Sequence, residues 1–289
     1  MKRINRLLTF ASITLLFLNT GCLTKTKTTI ESFDGVNISF DNEGKGDPVI
    51  ILIHGWSNTR NIWEAQISHF SEKYQVIAVD LPGFGKSGNN RIDWSIASYG
   101  KDIAAIIQRL NLNKVVLVGF SLGAPISIEC ANLIPDHIIG IVLVDALKEV
   151  ELKIPPPMAH YIDSLMMDLV THPTKEKLVE RNFFKKNIDS TYLRILSILE
   201  VDSHIGWRES IAGNIEWQNE QCTNKVQNVK VPIIAINSDI QTTNVESFRK
   251  YAPTFKVKIV EDVGHLIMWD NTEMFNQLLD ESILEFMEE

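Results

Sequence analysis

Apolar residues fall into short unbroken runs, and these set the first expectation for the fold. Pro48-Val-Ile-Ile-Leu-Ile53 is followed by similar runs at Gln75 to Val79, Lys114 to Val118, Ile139 to Val144, Val231 to Ile236 and Val257 to Val260. A run with no polar alternation is the pattern of a strand covered on both faces, as in a parallel sheet. Between the runs lie stretches with apolar residues at helical spacing: Asn61 to Phe70, Ser95 to Leu110, Leu122 to Leu133, Asn244 to Tyr251 and Thr272 to Met287. Upstream, Thr29 to Phe33 and Val36 to Phe40 flank Asp34-Gly35, a dipeptide suited to a tight hairpin turn. Strand alternating with helix predicts an α/β fold: a mostly parallel sheet with helices on both faces, entered through an antiparallel hairpin.

The alternation breaks once. From Leu147 to Asn228 the sequence offers helical patterns, Met and aromatic residues and the break Pro155-Pro156-Pro157, but no strand. An insertion of this kind between two core strands predicts a helical cap over the ends of the sheet. The expected organisation is therefore a core over residues 30–146 and 229–289, with a cap over 147–228.

The first residues read as a targeting segment. Lys2, Arg3 and Arg6 precede an apolar stretch from Leu7 to Leu18 that is too short to cross a bilayer comfortably, and Asn19-Thr20-Gly21-Cys22 follows. The small residues before Cys22 resemble the cleavage site of bacterial lipoproteins, in which the cysteine is lipidated. That resemblance implies export and a lipid anchor in a membrane. A plain cleaved signal (a periplasmic or secreted protein) and an uncleaved anchor are the alternatives. Residues 23–29, rich in Thr and Lys, read as a tether.

Composition narrows the partners. A formal net charge of −8, without clustered Lys and Arg, argues against a nucleic-acid partner and leaves a small-molecule substrate. With Cys22 set aside, Cys130 and Cys222 are too few for a disulfide framework and read as small apolar residues.

The candidate chemistry centres on Lys114-Val-Val-Leu-Val-Gly119-Phe120-Ser121-Leu122-Gly123, a buried run leading through G-x-S-x-G into a helix. A serine on so sharp a turn lifts its hydroxyl above the sheet, and the flanking glycines remove side chains that would clash. The amide of Leu122, at a helix start, then points toward a developing oxyanion. The loop His54-Gly55-Trp56 follows another buried run, and the amide of Trp56 is the second candidate donor; His54 reads as a structural histidine holding that loop. A serine hydroxyl is a weak nucleophile until an imidazole takes its proton, and His265, in Val263-Gly264-His265 after the last predicted strand, fits that need. The imidazole needs a carboxylate to orient it. Asp239, in the loop after Val231 to Ile236, is the favoured source, and Asp145, at the end of Ile139 to Val144, is the alternative.

These elements, with Asp80-Leu-Pro-Gly-Phe-Gly-Lys-Ser87, occur in an order that resembles the α/β-hydrolase superfamily over residues 28–289. The resemblance implies an eight-stranded sheet, a cap inserted after the sixth strand, no metal or other cofactor, and ester-like hydrolysis through an acyl-enzyme on Ser121. A serine at the elbow disfavours the dehalogenase and epoxide hydrolase chemistries, which use Asp there. Gly85-Lys86-Ser87 fails as a phosphate-binding loop, because Asp80 stands where the earlier glycine is required. A membrane-tethered binding protein without turnover is the alternative function. Met158, Met166, Met167, Phe183, Phe184 and Trp207 are expected either to pack the cap or to line a cavity for a small or medium apolar substrate.

Overall fold

The computed structural model describes residues 26–199 and 206–288. Eight strands form one sheet: β1 (Thr26–Glu31), β2 (Asn37–Glu43), β3 (Val49–Ile53), β4 (Gln75–Val79), β5 (Val115–Phe120), β6 (Ile138–Val144), β7 (Ile233–Ser238) and β8 (Lys256–Val260). Their order across the sheet is β1-β2-β4-β3-β5-β6-β7-β8. The β1–β2 and β2–β4 pairs are antiparallel, and the remaining pairs are parallel. This is the fold class that the hydrophobic runs predict.

Eleven α-helices surround the sheet among the described residues. In chain order they are α1 (Glu64–Phe70), α2 (Ile96–Arg109), α3 (Gly123–Leu133), α4 (Pro156–Thr171), α5 (Lys175–Glu180), α6 (Ile188–Leu199), α7 (Trp207–Glu220), α8 (Cys222–Asn228), α9 (Val245–Arg249), α10 (Ile267–Asp270) and α11 (Thr272–Glu288). The unbroken strand runs are explained by two cores, one on each face. Ile51, Leu117 and Leu143 pack with Tyr99, Ile103 and Ile128 of α2 and α3. Their neighbours Leu52, Val116 and Val142 pack with Phe70 of α1 and with Phe275, Leu279 and Ile283 of α11. Alternate residues of one strand thus feed opposite cores, so neither face tolerates a polar position.

The boundaries shift where backbone chemistry overrides the pattern. Strand β7 begins at Ile233, because Pro232 has no N–H to give the ladder, although its carbonyl still accepts from Ile141 N at 3.0 Å. The hairpin turn forms around Gly35, at φ 84°, but the first strand starts earlier than expected. Residues 26–29, assigned to a tether, pair in register with Phe40 to Asn42 and Ser39 of β2. The targeting segment and Cys22 lie outside the described residues. Helices α4 to α8 occupy the interval between β6 and β7, where the sequence predicts a cap.

Candidate active site

Strand β5 runs into the turn at Ser121 and out into α3. Ser121 has φ 51°, a left-handed conformation that a residue with a side chain adopts only under constraint. The constraint is visible: its N–H donates to Val144 O and its carbonyl accepts from Ala124 N, both at 3.0 Å. The flanking glycines make room. A Cβ on Gly119 would overlap the Gly123 carbonyl, and one on Gly123 would overlap Ile53 O. Gly55 approaches so closely that a Cβ there would stand 3.0 Å from the Ser121 Cβ. The amides of Trp56 and Leu122 have no protein acceptor among the described residues, which leaves both N–H groups available at the elbow.

Ser121, Asp145 and His265 line one cavity of about 380 Å³. His265 Nδ1 lies 2.6 Å from Asp145 Oδ2, and the imidazole packs against Phe120, with ring centroids 4.7 Å apart. The Asp145 side chain is 4% exposed, and its other oxygen is saturated. Oδ1 accepts from Ser238 N at 2.8 Å and Ser238 Oγ at 2.7 Å, and pairs with Lys148 Nζ at 2.8 Å. Burial pushes the Asp145 carboxyl up, but the hydrogen bond and charge of His265, together with Lys148, outweigh it and hold the group below the usual carboxylate range.

Asp239, the favoured acid from the sequence, is not brought to the imidazole. Its side chain is 40% exposed; Oδ2 accepts from Asp262 N at 3.2 Å and Oδ1 lies 3.5 Å from Lys185 Nζ. The two candidates part because β6 and β7 are neighbouring parallel strands. Asp145 N donates to Ile236 O, which sets its carboxylate across the end of β7, whereas the chain after Ser238 has already turned outward.

A match to a family model described as the alpha/beta hydrolase fold covers residues 48–272. The chain belongs to the α/β-hydrolase fold family. Among solved structures, an esterase from Exiguobacterium antarcticum superposes with a TM-score of 0.77 at 21% identity, over 89% of this chain and 99% of that one. A pimeloyl-[acyl-carrier protein] methyl ester esterase from Legionella pneumophila is 25% identical over 266 residues, covering 86% of this chain and 100% of its own length. Other curated relatives are matched only in part: the chain spans 33% of a Mycobacterium tuberculosis protein at 32% identity.

Within this hydrolase fold the remaining expectations can be placed. His54 is fully buried, with Nδ1 2.7 Å from Gly55 O and Nε2 accepting from Leu81 N at 3.0 Å. The second bond requires an unprotonated Nε2, and burial lowers the affinity of the ring for a proton. This is the loop-holding histidine the sequence predicts. Cys130 and Cys222 are free and buried, and burial pushes the Cys222 thiol up to about 12. Of the cap residues, Phe184 and Trp207 are fully buried, while Met158 is half exposed. Met166 and Phe183 line an apolar slot with Trp56, Leu178 and Leu266. Among the described residues no group of three or more His, Cys, Asp or Glu side chains could hold a metal ion.

Three contributors carry no signal in the sequence reading. Lys148 and Ser238 clamp Asp145, and Asp270 anchors the His265 loop, accepting from Gly264 N at 2.6 Å, Lys185 N at 2.7 Å and Lys186 N at 3.0 Å. None of the three has a motif of its own. Ser238 lies 93 residues from Asp145, and Asp270 lies 85 and 84 from Lys185 and Lys186, whereas Lys148 is only three residues from Asp145.

Proposed function

We propose that the protein is a serine hydrolase of the carboxylic-ester type, with Ser121 as nucleophile, His265 as general base and Asp145 as the acid that orients the ring. The observation that carries this reading is the 2.6 Å contact of His265 Nδ1 with a buried Asp145, in the cavity that also holds a serine in the strained elbow conformation. With Nδ1 donating to Asp145, Nε2 is left unprotonated and free to act as a base.

In the reaction, Ser121 Oγ bonds to the ester carbonyl carbon as its proton passes to His265 Nε2. The oxyanion accepts from the amides of Trp56 and Leu122, whose direction is fixed before substrate arrives. The C–O bond to the alcohol then breaks, and the leaving oxygen takes the proton from His265. Water, deprotonated by the same nitrogen, attacks the acyl-enzyme carbon and releases the acid and Ser121. The esterase names of the Legionella relative and the Exiguobacterium structure support ester chemistry. The Ser121 cavity of about 380 Å³, with Ala146, Leu147, Leu152 and Ile154 in its wall, supports a small or medium substrate with an apolar part. A binding protein without turnover would have no use for the His265–Asp145 pair, which supports the hydrolase over that alternative.

The test is turnover of a short activated ester and labelling by a fluorophosphonate probe. Ser121→Ala is expected to abolish both while leaving the circular dichroism spectrum unchanged. Undiminished hydrolysis by that variant would refute the assignment. The segment ending at Cys22 supports a second part of the reading, that the enzyme is exported and held at a membrane by a lipid on that cysteine.

A further inference from the structure

The cavity around Ser121 combines apolar wall with charged side chains. Its charged lining consists of Asp145, Lys148, Glu149, Arg181 and His265. Most of these charges are already used within the protein. Lys148 Nζ is only 2.8 Å from Asp145 Oδ1, and it also donates to Ser238 Oγ at 3.0 Å and Ser238 O at 3.2 Å. The Glu149 carboxylate turns to the start of α9, where it accepts from Ser247 Oγ and Asn244 Nδ2, each at 2.6 Å, and from Glu151 N at 2.9 Å. Arg181 differs. Its guanidinium has one protein partner among the described residues, the Tyr161 hydroxyl at 3.4 Å, and no carboxylate.

Arg181 is also held in place by its backbone. It caps α5, its N–H donating to Lys177 O at 3.1 Å. The next two carbonyls are fastened to the catalytic loop: Asn182 O accepts from His265 N at 2.7 Å, and Phe183 O accepts from Leu266 N at 2.8 Å. The chain at Arg181 therefore keeps a fixed position relative to the imidazole, one residue from its first anchor. A guanidinium presents a planar fork of donors that matches a carboxylate in two parallel hydrogen bonds.

We propose that Arg181 is a specificity-determining residue that binds a carboxylate on the substrate, so that the preferred ester carries an anionic group in addition to its reacting carbonyl. This rests on Ser121 being the nucleophile of an ester hydrolase. The apolar wall of the same cavity, with Ala146, Leu147, Leu152 and Ile154, and the cation at Arg181 then divide the substrate between them. One part is apolar, and the other ends in a carboxylate facing the open, polar side of the cavity. Pairing a charged donor with a charged acceptor in this setting is worth about one power of ten or more in specificity.

The experiment uses matched esters differing in one charge. Monomethyl adipate is compared with methyl hexanoate, which tests the acyl side, and 4-acetoxybenzoate with 4-acetoxybenzamide, which tests the alcohol side. kcat/KM is measured for wild type, Arg181→Gln and Arg181→Lys. Wild type is expected to prefer the anionic member of at least one pair. Arg181→Gln should lower kcat/KM for that member about tenfold or more, mainly through KM, and change its neutral partner less than twofold. Arg181→Lys should restore part of the loss, since the charge returns without the fork. Equal rates within both pairs for the wild type, or a loss in Arg181→Gln shared by charged and neutral esters, would overturn the proposal. If none of the four esters is turned over in a Ser121-dependent way, the hydrolase reading fails by itself. Calorimetric binding of 4-acetoxybenzoate and adipate to Ser121→Ala, with and without Arg181→Gln, then decides Arg181 alone. Failure of both anions to bind more tightly when Arg181 is present overturns it.

Discussion

At the scale of single residues, the site turns on which carboxylate meets the imidazole. Asp145 and Asp239 each end or follow a core strand and look equivalent as sequence, yet one is buried against His265 and the other faces solvent. Asp145→Asn is therefore expected to lower kcat by about three to four powers of ten, since an amide cannot hold the required tautomer, whereas Asp239→Asn should stay within about twofold. Steady-state rates of both variants on one ester check this, and the reverse ranking would show the acid to be misassigned. The same geometry fixes the response to acid. A carboxyl whose native affinity for protons is depressed contributes stability at pH values above the ordinary carboxylate range. That contribution is lost only as pH falls through the native value. The difference in unfolding free energy between wild type and Asp145→Asn is accordingly expected to stay constant down to about pH 4 and to shrink at lower pH, as denaturant titration across pH would show.

At the scale of elements, the connection between cap and core holds the loop that carries His265. Helices α4 to α8 were legible as helices from their spacing, but their docking was not. The segment after α5 is stitched to the His265 loop by two backbone hydrogen bonds. Behind it, the Asp270 carboxylate, 5% exposed, serves three amides from both sides of that seam. Removing this acceptor leaves one buried and two part-buried N–H groups without that partner. Asp270→Ala is expected to cost about 2–4 kcal/mol in unfolding free energy and to reduce kcat/KM as the loop loosens. Denaturant titration beside ester kinetics measures both, and a change under about 0.5 kcal/mol with unchanged rates would mean the seam does not depend on Asp270. The nucleophile elbow is the opposite case. Strand, tight turn and helix are contiguous from Val115 to Leu133, so its form was readable directly from the residues.

At the scale of the whole molecule, the expected boundary between tether and domain moves, because Thr26 to Thr29 already belong to the sheet edge. No helix among the described residues is long and apolar enough to cross a membrane. The proposed membrane attachment rests on the segment that ends at Cys22. Wild-type protein expressed in a bacterial host is expected to sediment with membranes and to partition into detergent, and Cys22→Ser to be recovered in the soluble fraction. A wild-type chain found wholly in the soluble fraction would remove the tether from the reading. The periodicity of the chain determined the α/β class, the parallel sheet, the interrupted region and the serine and histidine, because each is written in local spacing or in one continuous strand–turn–helix stretch. The tertiary structure alone brought Asp145 rather than Asp239 to His265, set the Lys148 and Asp270 anchors, and left Arg181 without a carboxylate partner among the described residues. His265 and Asp145 lie 120 residues apart, and they meet only because parallel strand pairing and the docked cap bring distant loops to one end of the sheet.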